Sequence, residues 1–277
     1  YMHSKVTWKV FKMNNKILLA SVASLALAAA AYASDKSHEG GSSKSNEKGR
    51  EIHWEYEGEG NPKNWGHLKK EFFECSAGKT QSPIDITKPT EANLPDLELK
   101  YKNKPLRIIN NGHTIQVNYE GGKMTVGDDT YNVLQFHFHA GSENAINGKL
   151  YPMEMHFVHK RDDGALGVLG VMIEQGKRND AMQKIWDHLP SKVGEEEEYD
   201  DVMLNASELL PAKQEYYRFM GSLTTPPCSE GVNWHVLKVP IEMSKDQIEA
   251  FTSIYDGNAR PLQEKNNRLI ILDKNSD

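Results

Sequence analysis

The chain has 277 residues, 38% of them hydrophobic and 26% charged, with a formal net charge of −6. That composition describes an ordinary globular chain and excludes a fibrous or wholly disordered one. The excess of acid makes nucleic acid a poor partner, because phosphate binding needs clustered Lys and Arg.

In chain order, Met13-Asn14-Asn15-Lys16, the apolar run from Ile17 to Ala31 and the small-residue end Ala31-Tyr32-Ala33 carry the three parts of a secretory signal peptide over residues 13–33. They predict a periplasmic or secreted protein. The run is too short and too rich in Ala and Ser for a spanning helix, which needs ~20 apolar residues, so no stable membrane anchor is expected. Residues 1–12 read as upstream translated sequence and 34–50, rich in Ser, Gly, Lys and Glu, as a disordered tether. Loss of the first 33 residues removes Lys5, Lys9, Lys12 and Lys16 and takes the charge to −10. No internal repeat or Pro/Gly/Ser linker follows, which predicts a single domain over 51–277. Its two cysteines, Cys75 and Cys228, are expected to pair in an oxidising compartment.

Short stretches rich in β-branched and aromatic residues, bounded by Gly, Asn and Asp, predict strands at 106–119, 123–126, 131–139, 151–160, 166–174 and 232–239. Helical spacing is weaker. It covers 180–189, ended by Pro190, and 244–255, which starts on Ser244 and stops before Gly257. The Glu195–Glu198 run with Asp200 and Asp201 reads as a solvated loop. The fold class is therefore mainly β, a large twisted and mostly antiparallel sheet with a few short peripheral helices.

Gln135-Phe136-His137-Phe138-His139 carries the chemistry, because side chains two apart on a strand project to one face. His137 and His139 form a chelating pair while Phe136 and Phe138 turn to the opposite side. A third imidazole from a neighbouring strand would complete a three-histidine zinc site with one open position. Glu154-Met155-His156-Phe157-Val158-His159 offers two, and parity selects His156, which shares a face with Glu154 and Val158. Glu154 can then orient a ligating imidazole from behind.

Four further segments occur together: Gln81-Ser82-Pro83-Ile84-Asp85, Asn110-Asn111-Gly112-His113, Ser142-Glu143 and Gly221-Ser222-Leu223-Thr224-Thr225-Pro226-Pro227. With the histidines, in this order, they resemble the α-carbonic anhydrases from about His53 to Leu272. The resemblance implies zinc on His137, His139 and His156, Gln135 and Glu154 as partners of those ligands, and a proton shuttle at His113. It makes Thr224 a gatekeeper that donates to Glu143 and puts Thr225 on the bicarbonate side. Val158, Val168, Leu223, Val232 and Trp234 become the apolar wall for carbon dioxide, and Tyr56, Asn111 and Gln116 the hydrophilic one. Gln116 has the wrong parity to face the way His113 does, so its place requires a bulge. His53, His67, His159, His188 and His235 receive no role.

The implied activity is that of a zinc lyase interconverting carbon dioxide and bicarbonate, and a homodimer is left open. Two rivals are a non-catalytic carbonic-anhydrase-like binding domain, expected to lack a ligand or Thr224, and a zinc hydrolase acting on esters. A zinc peptidase would carry His-Glu-x-x-His on a helix, and that motif is absent.

Overall fold

The computed structural model describes residues 52–274, so the readings of residues 1–12, 13–33 and 34–50 fall outside the described residues. The strands, in chain order, are β1 Asp85–Ile86, β2 Thr90–Ala92, β3 Leu97–Tyr101, β4 Lys104–Asn110, β5 Ile115–Asn118, β6 Gly122–Val126, β7 Asp129–Ala140 and β8 Ala145–Ile146. They continue as β9 Met153–Lys160, β10 Leu166–Gln175, β11 Glu197–Leu204, β12 Tyr216–Ser222, β13 Glu230–Leu237, β14 Ile241–Met243 and β15 Ile271–Asp273. Among the described residues four short α-helices accompany them: α1 Trp65–Leu68 and α2 Glu74–Ala77 precede β1, α3 Asp180–Trp186 follows β10 and α4 Lys245–Thr252 follows β14.

One sheet runs in the order β11-β4-β5-β7-β9-β10-β13-β12-β15-β2. Its centre is antiparallel from β5 to β10, but β10 pairs in parallel with both β13 and β14, so the sheet is mixed. The alternation legible in the sequence sorts the side chains to two faces. Phe136, Phe138, Met155, Phe157, Leu169 and Val171 belong to one apolar core, packed against Trp186 of α3 and Phe251 of α4. Val168, Val232, Trp234 and Val236 belong to another, beside Ile84 and Ile86. Complete burial of each such side chain contributes about 1.5–3 kcal/mol.

Both expected helices form, shorter than their patterns. Asn179 caps α3 by accepting from Met182 N, and Ser244 with Gln247 makes a capping box on α4.

Two expectations are corrected. The stretch 106–119 is not one strand: it breaks at Asn111–Thr114 into the β4–β5 hairpin, where Asn111 Oδ1 accepts from His113 N and Thr114 N, and Gly112 adopts φ +91°. The acidic run is not a simple loop either. From Glu197 onward it forms β11, which pairs with β4 at one end of the sheet, with Arg107 clamping Glu196 at 2.5 Å. A charged outer strand discourages further pairing while remaining solvated.

Cys75 and Cys228 are bonded as expected, with Cα atoms 5.0 Å apart and a separation of 153 positions in sequence. Among the described residues no helix is long and apolar enough to cross a membrane.

Candidate metal centre

Pairing across the sheet sets the centre. His137 lies opposite His156 and His139 opposite Glu154 in the β7–β9 ladder, so all four project from the same face. Gln116 pairs with His137 from the other side, on β5. That corrects the parity objection: the Asn111–Thr114 turn separates His113 from the strand, and Gln116 faces the histidines without a bulge.

Each ligand candidate has one nitrogen engaged and one turned inward. His137 Nδ1 lies 2.8 Å from Gln135 Oε1, and His139 Nδ1 donates to the Asn258 carbonyl at 2.8 Å. His156 Nε2 is 2.9 Å from Glu154 Oε1, within ion-pair reach though not aligned as a hydrogen bond. This leaves His137 Nε2, His139 Nε2 and His156 Nδ1, and the three residues' donor atoms lie within 4.8 Å of one another. His139 Nε2 is enclosed and has no hydrogen-bond partner.

Burial pushes all three imidazoles below their ordinary range, helped at His137 by the rings of His139 and His156 and at His156 by His139. They are therefore neutral at pH 7, with lone pairs to give. Three converging neutral imidazoles and an orphaned buried nitrogen fit a borderline cation such as zinc.

Behind the three histidines, Glu154 is fully buried and accepts from Asn144 N at 2.8 Å and Asn144 Nδ2 at 2.9 Å. Burial raises its carboxyl, and the Asn144 donors oppose that shift. Gly170, opposite His156 on β10, leaves the room that Glu154 uses, for a Cβ there would meet Glu154 Oε1 at 3.0 Å.

Glu143 is buried, accepts from the Arg260 backbone N–H at 2.8 Å, and lies near enough to the Thr224 hydroxyl for it to pull the carboxyl down. Burial pushes its carboxyl up to about 8, while the Thr224 hydroxyl and the Arg260 N–H pull it down. Its Oε2 stands 3.5 Å from His139 Nε2 and 3.8 Å from His156 Nδ1, so Thr224, Glu143 and the histidines share one pocket. Thr225 follows on the turn closed by the Cys228 N–H to Thr225 carbonyl bond at 2.8 Å. Val158, Val168 and Trp234 continue the histidine face through the ladders, and Val232 and Leu223 pack in the same apolar cluster. Tyr56 is near enough to Glu143 for that carboxylate to raise its phenol, after burial. Asn111 donates to Gln116 at 3.3 Å.

His113 sits at the β4–β5 turn, its ring 3.7 Å from Trp54 and nearly parallel to it. Burial first, then His53, pushes its imidazole down to about 4, below the 6.5 expected of a free histidine. His159 faces away from the centre, as parity predicts, and hydrogen-bonds Tyr101 at 2.9 Å. His235 is also buried, on the strand position next to Trp234.

Sequence reasoning missed Asn258 and Arg260. Asn258 holds His139, accepts from Ala140 N at 2.6 Å and donates to the His113 carbonyl at 2.9 Å. Arg260 ties Glu143 to Gln81, Ser82 and the Cys75 carbonyl. Only their place just after Gly257 marked them, and that signal ends a helix without indicating a distant partner.

A mixed sheet with three converging histidines on its central strands, backed by a Thr–Glu pair, defines the α-type carbonic anhydrase architecture. The profile of the eukaryotic-type carbonic anhydrases matches residues 60–274, and the chain belongs to that family. It is 46% identical over 223 residues to a carbonic anhydrase of Pectobacterium carotovorum, covering 79% of this chain and 91% of that one. A carbonic anhydrase of Neisseria gonorrhoeae is 46% identical over 230 residues, covering 80% and 89%. Among solved structures, the α-carbonic anhydrase of Thermovibrio ammonificans in complex with the inhibitor sulfanilamide superposes with a TM-score of 0.77 at 42% identity, covering 79% of this chain and 98% of that one.

Proposed function

We propose that this chain is a zinc-dependent carbonic anhydrase that reversibly hydrates carbon dioxide to bicarbonate and a proton. The observation that carries this reading is the convergence of three neutral imidazoles beside the neighbouring Thr224 and Glu143.

His137 Nε2, His139 Nε2 and His156 Nδ1 would hold the ion, with Gln135, Asn258 and Glu154 fixing the rings from behind. Zinc on three imidazoles, with a position open, lowers the pKa of water there to near 7, the carbonic anhydrases being the reference case for that magnitude. With Glu143 as the acceptor for its hydroxyl hydrogen, Thr224 Oγ would face the open side only as an acceptor. It thereby selects a protonated oxygen and fixes its orientation toward carbon. Val158, Val168, Leu223, Val232 and Trp234 give an apolar wall suited to carbon dioxide, and Thr225 lies on the side from which bicarbonate leaves. His113 passes the released proton outward, supported by Tyr56, Asn111 and Gln116 as the polar side of the cavity. Residues 13–33 support placing the mature protein in the periplasm or outside the cell.

Stopped-flow carbon dioxide hydration with and without sulfanilamide tests the reading. Rapid hydration suppressed by the sulfonamide is expected; a correctly folded, zinc-supplemented protein that leaves the uncatalysed rate unchanged overturns it.

A further inference from the structure

The acidic run that begins at Glu195 has no part in the reading above, yet one of its side chains ends a row of hydrogen bonds that starts at the β4–β5 turn. There Asn111 Oδ1 accepts from His113 N and Thr114 N, each at 3.0 Å. Asn111 Nδ2 donates to Gln116 Oε1 at 3.3 Å, Gln116 Nε2 donates to Asn118 Oδ1 at 2.6 Å, and Asn118 Nδ2 donates to Glu196 Oε2. The other Glu196 oxygen, Oε1, accepts from Arg107 Nε at 2.8 Å and Arg107 Nη2 at 2.5 Å.

This row runs beside the metal centre. In the β5–β7 ladder Gln116 lies opposite His137 and Asn118 opposite Gln135, whose Oε1 is 2.8 Å from His137 Nδ1. Glu196 reaches it from the residue just before β11, and Arg107 from β4, the strand that pairs with both β5 and β11. The three amides and Glu196 are all half-buried, so an unmatched donor among them is costly.

We infer that Glu196 is a positioning residue for the hydration site: it sets the direction of every amide along the polar side of the centre and so holds the turn that carries His113. The inference rests on the reaction proposed above. Both ends of the row are fixed by chemistry, since a backbone N–H and a guanidinium can only donate. The turn takes the Asn111 oxygen, which sends its nitrogen to Gln116, and each amide in succession must then accept from the one before and donate to the next. The last donor, Asn118 Nδ2, needs an acceptor beside a guanidinium that needs one too. A carboxylate, accepting on both oxygens, serves the two at once.

Glu196→Gln leaves one oxygen for two donors. Arg107 claims it, because a charged donor makes the stronger hydrogen bond, and the new amide nitrogen then faces Asn118. Asn118 and Gln116 must turn over in sequence, and Asn111 would be left presenting its nitrogen to the N–H groups of His113 and Thr114. The row therefore carries one donor against another, at the turn or at a link before it.

The test compares parent, Glu196→Gln, Arg107→Met and the double variant as zinc-loaded proteins. In weakly buffered solution Glu196→Gln should lower kcat by about threefold to tenfold, the scale of one hydrogen bond, and leave kcat/KM and zinc content at parental values, because carbon dioxide meets the apolar side. Arg107→Met alone should stay near the parent, since Glu196 still accepts from Asn118. The double variant should recover the parental kcat, for without Arg107 the new amide can turn its oxygen to Asn118; a merely structural pair would make it no better than Glu196→Gln. The side-chain amide NMR signals of Asn118 and Gln116 should move in Glu196→Gln and return in the double variant. An unchanged kcat or unmoved amide signals in Glu196→Gln, or a double variant as slow as that single one, overturns the assignment. Absence of hydration in the parent would instead overturn the proposed function, while the amide signals would still decide the direction of the row.

Discussion

His137 and His156 are direct partners across the β7–β9 ladder, with ring centroids 5.4 Å apart and planes at 88°. Two imidazoles at right angles, joined by His139 two residues along the same strand, point their free nitrogens to a common spot. That arrangement follows from strand alternation together with the β7–β9 register, and alternation separates these three histidines from His159.

His137→Ala, His139→Ala and His156→Ala should each abolish most zinc binding, whereas His159→Ala should keep it. Metal content by mass spectrometry after dialysis checks this. Full occupancy in any of the first three would remove that residue from the ligand set.

Thr224→Val deletes the hydroxyl that Glu143 holds while keeping the volume. Hydration kcat/KM should fall by roughly 10²-fold, the scale on which a single orienting hydrogen bond acts at a reacting oxygen, with zinc retained. Thr224→Ser should recover most of the loss. A Val variant of parental rate would mean that the Thr224–Glu143 bond has no part in turnover.

The Cys75–Cys228 bond closes a loop of 153 residues and sits against the turn that bears Thr224 and Thr225. Reduction should cost about 2–4 kcal/mol and lower the melting temperature by roughly 5–15 °C. Calorimetry with and without reductant measures it, and equal melting temperatures would contradict a stabilising role.

His159 is buried against Tyr101, and burial pushes its imidazole down to about 4. The unfolded chain, with an ordinary histidine near 6.5, binds more protons between those values. Stability therefore falls as pH drops from 6.5 through about 4, by about 3 kcal/mol for this group, and is fully present above 6.5. His159→Gln keeps a polar partner for Tyr101 and should flatten the dependence in that window, as followed by urea unfolding at several pH values. An unaltered slope would rule out His159 as a source of acid sensitivity.

The central strands were legible because each keeps a period of two: β7, β9 and β10 place aromatic and β-branched residues on one face and the site on the other. The Asn111–Thr114 turn was not, since the apolar positions Ile109, Ile115 and Val117 read through it without a break. The strand β11 hid behind its charge, because Glu197, Glu198, Asp200 and Asp201 surround the Tyr199, Val202 and Leu204 side chains that pack on the core. Asn258 was invisible for a different reason: its bond to His139 spans 119 residues, and a buried asparagine carries no local signature of its partner. The His53–His113 contact spans 60 residues and was hidden in the same way.

The most direct test of the central claim is zinc content and carbon dioxide hydration measured on the same preparation, before chelation, after it, and after zinc is returned. The expected result is one zinc per chain, loss of hydration in step with loss of metal, and recovery of both together. Hydration that persists at full rate in metal-free, folded protein would contradict the assignment of His137, His139 and His156 as a catalytic zinc centre.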